Sequence, residues 1–174
     1  MGSLKKLWGW YPTGSKWVKL QVDSTGKVLL SSIQTKARAY LSANQLNIPS
    51  GIVTLINLDT VSYDIGSNFN TATHKFVVPI TGYYLLSSQL TWLGGTVIAN
   101  QGYTLSIKKN GVGIATNDTQ SSTTSAICNT YSNIFLLAAT NEIELWAKHW
   151  AGVNTIDIRG DKTHTFMSIH LLSV

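Results

Sequence analysis

Residues 58–93, LDTVSYDIGSNFNTATHKFVVPITGYYLLSSQLTWL, decide the fold class of this chain. Apolar and polar residues alternate along the stretch, and Gly, Pro, Asn and Asp interrupt it every few positions. Pro79 and Gly82 separate a short apolar run at 75–78 from a longer one at 83–93. A period of two with frequent turn residues is typical of short β-strands and not of helices.

The same pattern continues in both directions along the chain. Asn110-Gly111 separates two alternating runs and is the strongest short hairpin signal in the sequence. About ten strands without intervening helices predict an all-β fold, an antiparallel jelly-roll sandwich. The predicted strands are 37–42, 52–58, 75–78, 83–93, 103–109, 112–116, 125–139, 142–150, 153–158 and 163–172. Residues 47–51, 64–68 and 117–122 are predicted loops.

Composition restricts the class of protein further. The chain has 174 residues, of which 44% are hydrophobic, 10% aromatic and only 12% charged. These values argue against a coiled coil and against disorder, and the length suits one domain with an appendage. No apolar run is long enough to span a membrane, and no cleavable signal peptide is predicted. The single Cys128 allows no intramolecular disulfide and is expected to be a small buried apolar residue.

The net charge of +5 is concentrated at the N-terminus. Residues 1–38 hold seven Lys and Arg against one Asp, whereas the rest of the chain holds six against seven acidic residues. We therefore predict two parts: an N-terminal attachment arm at 1–35 and a nearly neutral head at 36–174. A β-hairpin is expected in the arm, with strands at 17–22 and 27–30. The candidate attachment residues are Lys5, Lys6, Trp8, Trp10, Tyr11, Lys16, Trp17 and Lys19.

A basic, aromatic arm fits docking on an acidic protein surface, nucleic acid or anionic lipid. The alternative is a solvated hairpin whose lysines only maintain solubility.

The spacing within 58–90 resembles the signature of the globular head of complement component 1q, which shares its jelly roll with the tumour necrosis factor superfamily. The positions that carry this resemblance are Leu58, Asp64, Phe69, Phe76, Gly82, Tyr84 and Leu86. The family pattern has aromatic residues where this chain has Leu58 and Leu86. Similar elements follow at 103–111 and 136–145, although Asn141-Glu142 replaces the family's Gly-Asp. The resemblance covers residues 37–174.

The resemblance implies a fold and an assembly. Phe69, Phe76 and Tyr84 would be core aromatics, and Gly82 would occupy a place where a Cβ is obstructed. Members of the family usually form homotrimers in which one sheet, containing the last strand, faces the three-fold axis. The residues then expected at the trimer interface are Tyr83, Leu85, His164, Phe166 and His170. Three symmetry copies of His164 or His170 would form a ring able to bind a metal or an anion, although ordinary interface histidines are the simpler expectation.

Residues 7–28 resemble short segments of phage structural and tail-associated proteins. An arm joined to a trimeric head predicts a non-enzymatic virion protein, such as a capsid decoration, a head fibre or a tail-tip domain. Its partners would be other virion proteins and a host surface glycan or receptor, with Trp150 and Asn154 as the candidate ligand loop. Neither a membrane nor nucleic acid is expected as a partner.

Two other functions remain open. The first is a soluble trimeric cytokine- or lectin-like binding module, found in the cytoplasm or released rather than in a virion. The second is an enzyme built on a jelly roll.

Catalytic and cofactor motifs are missing from the sequence. Glu142 and Glu144 could form a glycosidase pair, but their alternation with Ile143 and Leu145 predicts side chains that face solvent. The four histidines have no zinc-binding spacing, and Asp118, Asp157 and Asp161 form no calcium loop. The sequence predicts no enzyme activity, no metal and no cofactor.

Overall fold

Alternating apolar residues and frequent turns produce strands throughout the part of the chain that the computed structural model describes, which is residues 7–11, 16–20, 35–152 and 154–174. In these residues there is no helix, as the sequence predicts. The chain divides into two units, Met1–Ile33 and Gln34–Val174.

The first unit contains an antiparallel pair of strands, β1 (Leu7–Tyr11) and β2 (Lys16–Leu20), with Trp10 opposite Trp17. The first strand of the expected hairpin, 17–22, overlaps β2, which pairs here with the preceding segment, β1. Both the turn at 23–26 and the return at 27–30 lie outside the described residues. In the sequence, Pro12, Thr13, Gly14 and Ser15 stand between these two strands, and Pro, Gly and Ser are residue types that favour turns.

The second unit forms two antiparallel sheets. Its strands are β3 (Lys36–Tyr40), β4 (Gln45–Pro49), β5 (Thr54–Leu55), β6 (Thr60–Ile65), β7 (Phe69–Asn70), β8 (Lys75–Val77), β9 (Gly82–Trp92), β10 (Gly102–Lys109), β11 (Val112–Gln120), β12 (Ile127–Leu137), β13 (Glu142–His149), β14 (Thr155–Ile158) and β15 (Phe166–Ser173). The six-stranded sheet has the order β11-β10-β13-β8-β7, and β5 also pairs with β13. The seven-stranded sheet has the order β4-β14-β9-β15-β3-β6, and β12 pairs with β9 along the whole length of β9.

The inward faces of both sheets meet in one apolar core, which makes the unit a jelly-roll sandwich. Phe76 and Tyr84 are fully buried, and Phe69 packs against the same cluster. Met167 and Ile169 bring the last strand into the core, as its two-faced pattern predicts. The resulting fold is the all-β sandwich expected from the sequence.

Two glycines hold positions that other residues would strain. A Cβ on Gly82 would lie 2.4 Å from the backbone oxygen of Ser173, so only glycine lets β9 approach the end of β15. Asn110 and Gly111 have φ values of 52° and 77°. These two positive values are typical of the type I′ turn, and they confirm the predicted hairpin between β10 and β11.

Several expected boundaries are wrong. The predicted loop at 47–51 overlaps β4, and β11 continues through most of the predicted loop at 117–122. Polar composition misled the second prediction, because Asn117 lies opposite Leu105 in the ladder and its side-chain oxygen accepts a hydrogen bond from buried Asn129. The predicted strand at 52–58 shortens to β5, and the predicted strand at 163–172 begins only at Phe166.

Candidate binding surfaces

The outward side of the seven-stranded sheet carries an exposed apolar patch. Tyr83 lies directly opposite Leu136, and Leu85 lies opposite Ile134. Tyr83, Ile134 and Leu136 are 51%, 52% and 59% exposed, which is a large exposure for neighbouring apolar side chains. We call this side the β9 face and define it by Tyr83, Leu85, Ile134, Leu136, Phe166 and His170.

His170 connects the apolar patch to the polar half of the β9 face. It lies opposite Leu85 on β9 and opposite Lys36 on β3. Its Nε2 atom is 2.7 Å from the Tyr63 hydroxyl, and the two rings meet edge to face. Burial lowers the pKa of His170, and the nearby Lys36 ammonium lowers it further.

Phe166 is covered by a cation. The Arg38 guanidinium carbon lies 4.1 Å from the centre of the Phe166 ring. The guanidinium also donates a hydrogen bond of 3.1 Å to Ser62 Oγ and another to the backbone oxygen of Lys162. These contacts fix Arg38 flat against the sheet.

Four of the five predicted interface residues thus share one face, but His164 does not lie on β15 with Phe166 and His170. It lies in the turn before β15, and its Nδ1 atom is 3.6 Å from Asp161 Oδ1 and 3.0 Å from Thr163 Oγ1. Asp161 has a positive φ of 119°, and backbone hydrogen bonds to its carbonyl close this turn, which is why β15 begins late. The expectation that His164 and His170 occupy one extended strand is therefore wrong.

Cys128 also lies on the side of its strand opposite to the one expected. It lies opposite Thr91 on the outward side of β12 and is exposed, because β12 alternates with its inward side at Ile127 and Asn129. The expectation of a buried thiol is wrong.

The outward side of the six-stranded sheet is built differently. We call it the β13 face and define it by Lys108, Glu142, Glu144, Trp146, Lys148 and Trp150. Glu144 is 3% exposed, so the expectation that both glutamates face solvent is wrong for this residue. Lys75 Nζ lies 2.7 Å from Glu144 Oε1 and 2.8 Å from Glu142 Oε2, and Trp146 Nε1 donates to Glu144 Oε2 over 2.8 Å.

The Lys75 ammonium neutralises the charge of the buried Glu144 carboxylate. Hydrogen bonds from Lys75 to Glu142 and Glu144 raise the pKa of its ammonium to about 12. Both Glu144 oxygens already accept a hydrogen bond from a side chain of the protein. A glycosidase needs carboxyl groups that face its substrate, and this geometry does not provide them.

Two lysines lie on two indole rings of the same face. Lys108 Nζ is 3.8 Å from the centre of the Trp146 ring, and Lys148 Nζ is 4.7 Å from the centre of the Trp150 ring. Trp150 is predicted from the sequence as a ligand residue, whereas Lys108, Trp146 and Lys148 are not. The alternation in Trp146-Ala147-Lys148-His149-Trp150 was the available signal, because it places three of the four on one side of a strand.

Buried His149 holds the chain beneath Trp150. Its Nε2–H donates to the Ile48 carbonyl over 2.8 Å, and its Nδ1 accepts the Ala151 amide over 3.2 Å. The ring packs against Trp92 and Tyr103. Burial lowers the pKa of His149, and the hydrogen bond to Ile48 offsets part of that effect.

Asn154, the second residue of the predicted ligand loop, forms hydrogen bonds within the loop itself. Its backbone amide and its side-chain amide both donate to the Ala151 carbonyl, over 3.3 and 3.0 Å. The side chain therefore closes a turn next to Trp150.

The predicted attachment residues fall in the first unit. Trp8, Trp10 and Tyr11 belong to β1, and Lys16, Trp17 and Lys19 belong to β2, whereas Lys5 and Lys6 lie outside the described residues. In the ladder, Trp8 is opposite Lys19 and Tyr11 is opposite Lys16.

Two features are absent from the part of the chain that the structure describes. No cluster of three or more His, Cys, Asp or Glu side chains there could hold a metal ion. Nor does that part contain a helix of the length and hydropathy needed to cross a bilayer.

The model of the C1q domain family matches residues 37–172, which is most of the chain and nearly all of its second unit. The chain belongs to the C1q domain family. Members of this family are typically trimeric, non-enzymatic and ligand-binding.

Solved structures agree with this assignment at the level of the fold. Eiger, a tumour necrosis factor from S. frugiperda, superposes with a TM-score of 0.63 at 11% identity, over 82% of this chain and 94% of that one. Murine APRIL gives 0.58 at 14% identity, over 80% and 99%. The globular domain of zebrafish complement 1qA gives 0.55 at 11% identity, over 79% and 96%. No curated protein matches the sequence.

Proposed function

We propose that this C1q domain is a non-enzymatic binding module that works as a homotrimer, with the β9 face as its subunit contact. The observation that carries the proposal is the exposed apolar patch formed by Tyr83, Ile134 and Leu136. Patches of this kind on an otherwise well-packed domain mark protein contacts. Homotrimers are typical of the family, and the β9 face is the outward side of the sheet that contains the last strand.

The rest of the β9 face suits a subunit contact. His170 and Phe166 are half-buried and already held by Tyr63 and Arg38, so they would lose little conformational freedom on association. Arg38 and aromatic residues are also among the types enriched at protein interfaces.

A charge placed in the patch tests the proposal. Leu136→Glu would bury a carboxylate beside Tyr83 in each of three contacts, which is strongly unfavourable, so we expect the trimer to dissociate into folded single chains. Val112→Glu is the matched control, because Val112 is an exposed apolar residue of the β10–β11 hairpin. Sedimentation velocity separates the two species, and an unchanged assembly of the Leu136→Glu variant would remove the β9 face from the interface.

We also propose that the first unit serves for attachment, which would make the protein a virion component such as a capsid decoration, a head fibre or a tail tip. The support is the division of the chain into two units and the charge of the first, Met1–Ile33, in which five lysines stand against a single acidic residue, Asp23. Lysines next to tryptophans suit docking on an acidic shell. The test is whether the natural protein sediments with virus particles and is lost from them when Lys5, Lys6, Lys16 and Lys19 are changed to Glu. Retention of that variant on the particles, or absence of the natural protein from them, would contradict attachment.

A further inference from the structure

The β13 face presents two tryptophans in a line. Trp146 and Trp150 are four residues apart on the same side of the chain, so about 13 Å separates their backbone positions. Trp150 is 45% exposed, and Trp146 is half-buried. The β9 face would be covered in the trimer, whereas this face belongs to the other sheet and would remain accessible.

The Trp150 ring is held in place from below. A Cβ on Gly102 would lie 3.0 Å from Trp150 Cε3, so the ring occupies the space above this glycine in β10. Buried His149 fixes the backbone on either side of the tryptophan through Ile48 and Ala151. An aromatic surface that is ordered before binding loses little entropy when a ligand stacks on it.

Cations accompany both rings. Lys108 lies over Trp146 and Lys148 over Trp150. Within residues 35–152 and 154–174, the only lysine that forms an ion pair with a carboxylate is Lys75, which neutralises Glu142 and Glu144. The nearest other carboxylate in the ladder, Asp118, accepts a hydrogen bond from Thr104. The two ammonium groups are therefore paired with aromatic rings and not with acids.

We propose that the β13 face binds an anionic glycan, a sugar chain that carries carboxylate or sulfate groups. The C–H side of a sugar ring would stack on Trp150, and its anionic substituents would pair with Lys148 and Lys108. Ser106, which lies opposite Trp146 on β10, offers a hydroxyl for hydrogen bonding. A neutral glycan would cover the same rings but would desolvate two ammonium groups without compensation. The inference names the ligand class of the binding module proposed above and rests on that proposal.

The probe is a heparin-derived hexasaccharide, titrated into the full-length chain and followed by calorimetry and tryptophan fluorescence. We expect binding that weakens as salt is added, because exposed charges are screened. Trp150→Ala should weaken it at least about tenfold. Every lysine stays in this variant, so the charges of residues 1–38 contribute equally to both measurements.

A pair of glycine variants tests whether binding depends on the position of the Trp150 ring. Gly102→Ala keeps Trp150 but pushes its ring away from the sheet, so affinity should fall with little loss of folding. Gly113→Ala is the matched control on the neighbouring strand, where an added Cβ meets no atom within 4 Å, and affinity should not change.

Three results would overturn the inference: no binding by the natural chain, equal binding by the Trp150→Ala variant, or preference for a single-stranded oligonucleotide of equal charge. The third would assign the stacked rings to nucleic acid. These outcomes are distinguishable from failure of the trimer. A trimer that ignores the hexasaccharide removes only the glycan, and a single chain that binds it through Trp150 removes only the trimer.

Discussion

Gly82 shows how one residue without a side chain sets the approach of two strands. Its missing Cβ leaves room for the Ser173 carbonyl and for the Leu171 side chain, which would lie 2.4 and 2.9 Å away. Backbone cannot yield as a flexible side chain does, so the contact must be relieved by moving β9 or β15.

Gly82→Ala should therefore lower the free energy of unfolding by about 1–3 kcal/mol. Gly113→Ala is again the control, since its Cβ would be in open space. Chemical denaturation measures both variants. Equal stability of the two would show that the end of β15 adjusts freely.

His149 is the residue whose protonation most directly opposes the fold. Its Nδ1 accepts the Ala151 amide, which requires the neutral ring, and the uncharged aromatic rings of Trp92 and Tyr103 pack against it. Burial lowers its pKa, so the folded chain binds the proton less readily than the unfolded chain, whose histidines titrate at about 6.5. The stabilisation is present above that pH and is lost as the pH falls through the lower, folded value.

Titration of the His149 ring by nuclear magnetic resonance should give a midpoint below 6.5, and the free energy of unfolding should decline as the pH is lowered from about 7 to 5. A midpoint at or above 6.5 would show that the ring is not held neutral as described. His170 contributes in the same direction, because burial and Lys36 lower its pKa too, with Arg38 as the other charged group on its face.

At the scale of elements, buried Asn129 connects four strands. Its Oδ1 accepts the Trp92 indole N–H of β9 over 3.0 Å. Its Nδ2 donates to Asn117 Oδ1 over 2.8 Å and lies near the Tyr103 carbonyl and Thr119 Oγ1. One amide of β12 thus satisfies polar groups of both sheets at the side of the sandwich.

Asn129→Ala should cost about 2–4 kcal/mol, because it leaves the buried Trp92 N–H without a partner and removes the hydrogen bond to the half-buried Asn117 side chain. Asn133→Ala on the same strand should change stability by less than about 0.5 kcal/mol, since water replaces the bonds of an exposed amide. Thermal or chemical unfolding measures the loss of stability in each of the two variants. Similar losses in both variants would mean that the Asn129 network is not a distinct source of stability.

The strands show what sequence could and could not predict. Alternation and turn residues identified β9, β13 and the Asn110-Gly111 hairpin, because these signals are local. Glu144 was misassigned, since its burial depends on Lys75, which lies far away in sequence. Cys128 was misassigned because hydrophobicity alone does not say which side of β12 faces outward. The start of β15 depends on how the Asp161 turn is closed, which composition does not reveal.

At the scale of the whole molecule, the two sheets have different outward sides. The β9 face is apolar around Tyr83 and Leu136 and carries cations at its other end, whereas the β13 face carries paired lysines and tryptophans. A trimer that covers the first face and exposes three copies of the second gives each face a separate role. Three ligand sites on one rigid body would also raise the avidity for a repetitive ligand.

The mass of the natural chain in dilute solution tests this account most directly. Sedimentation equilibrium at neutral pH should give three times the 19.0 kDa of one chain, because the exposed patch on the β9 face is then buried between subunits. A folded species with the mass of one chain at micromolar concentration would contradict it.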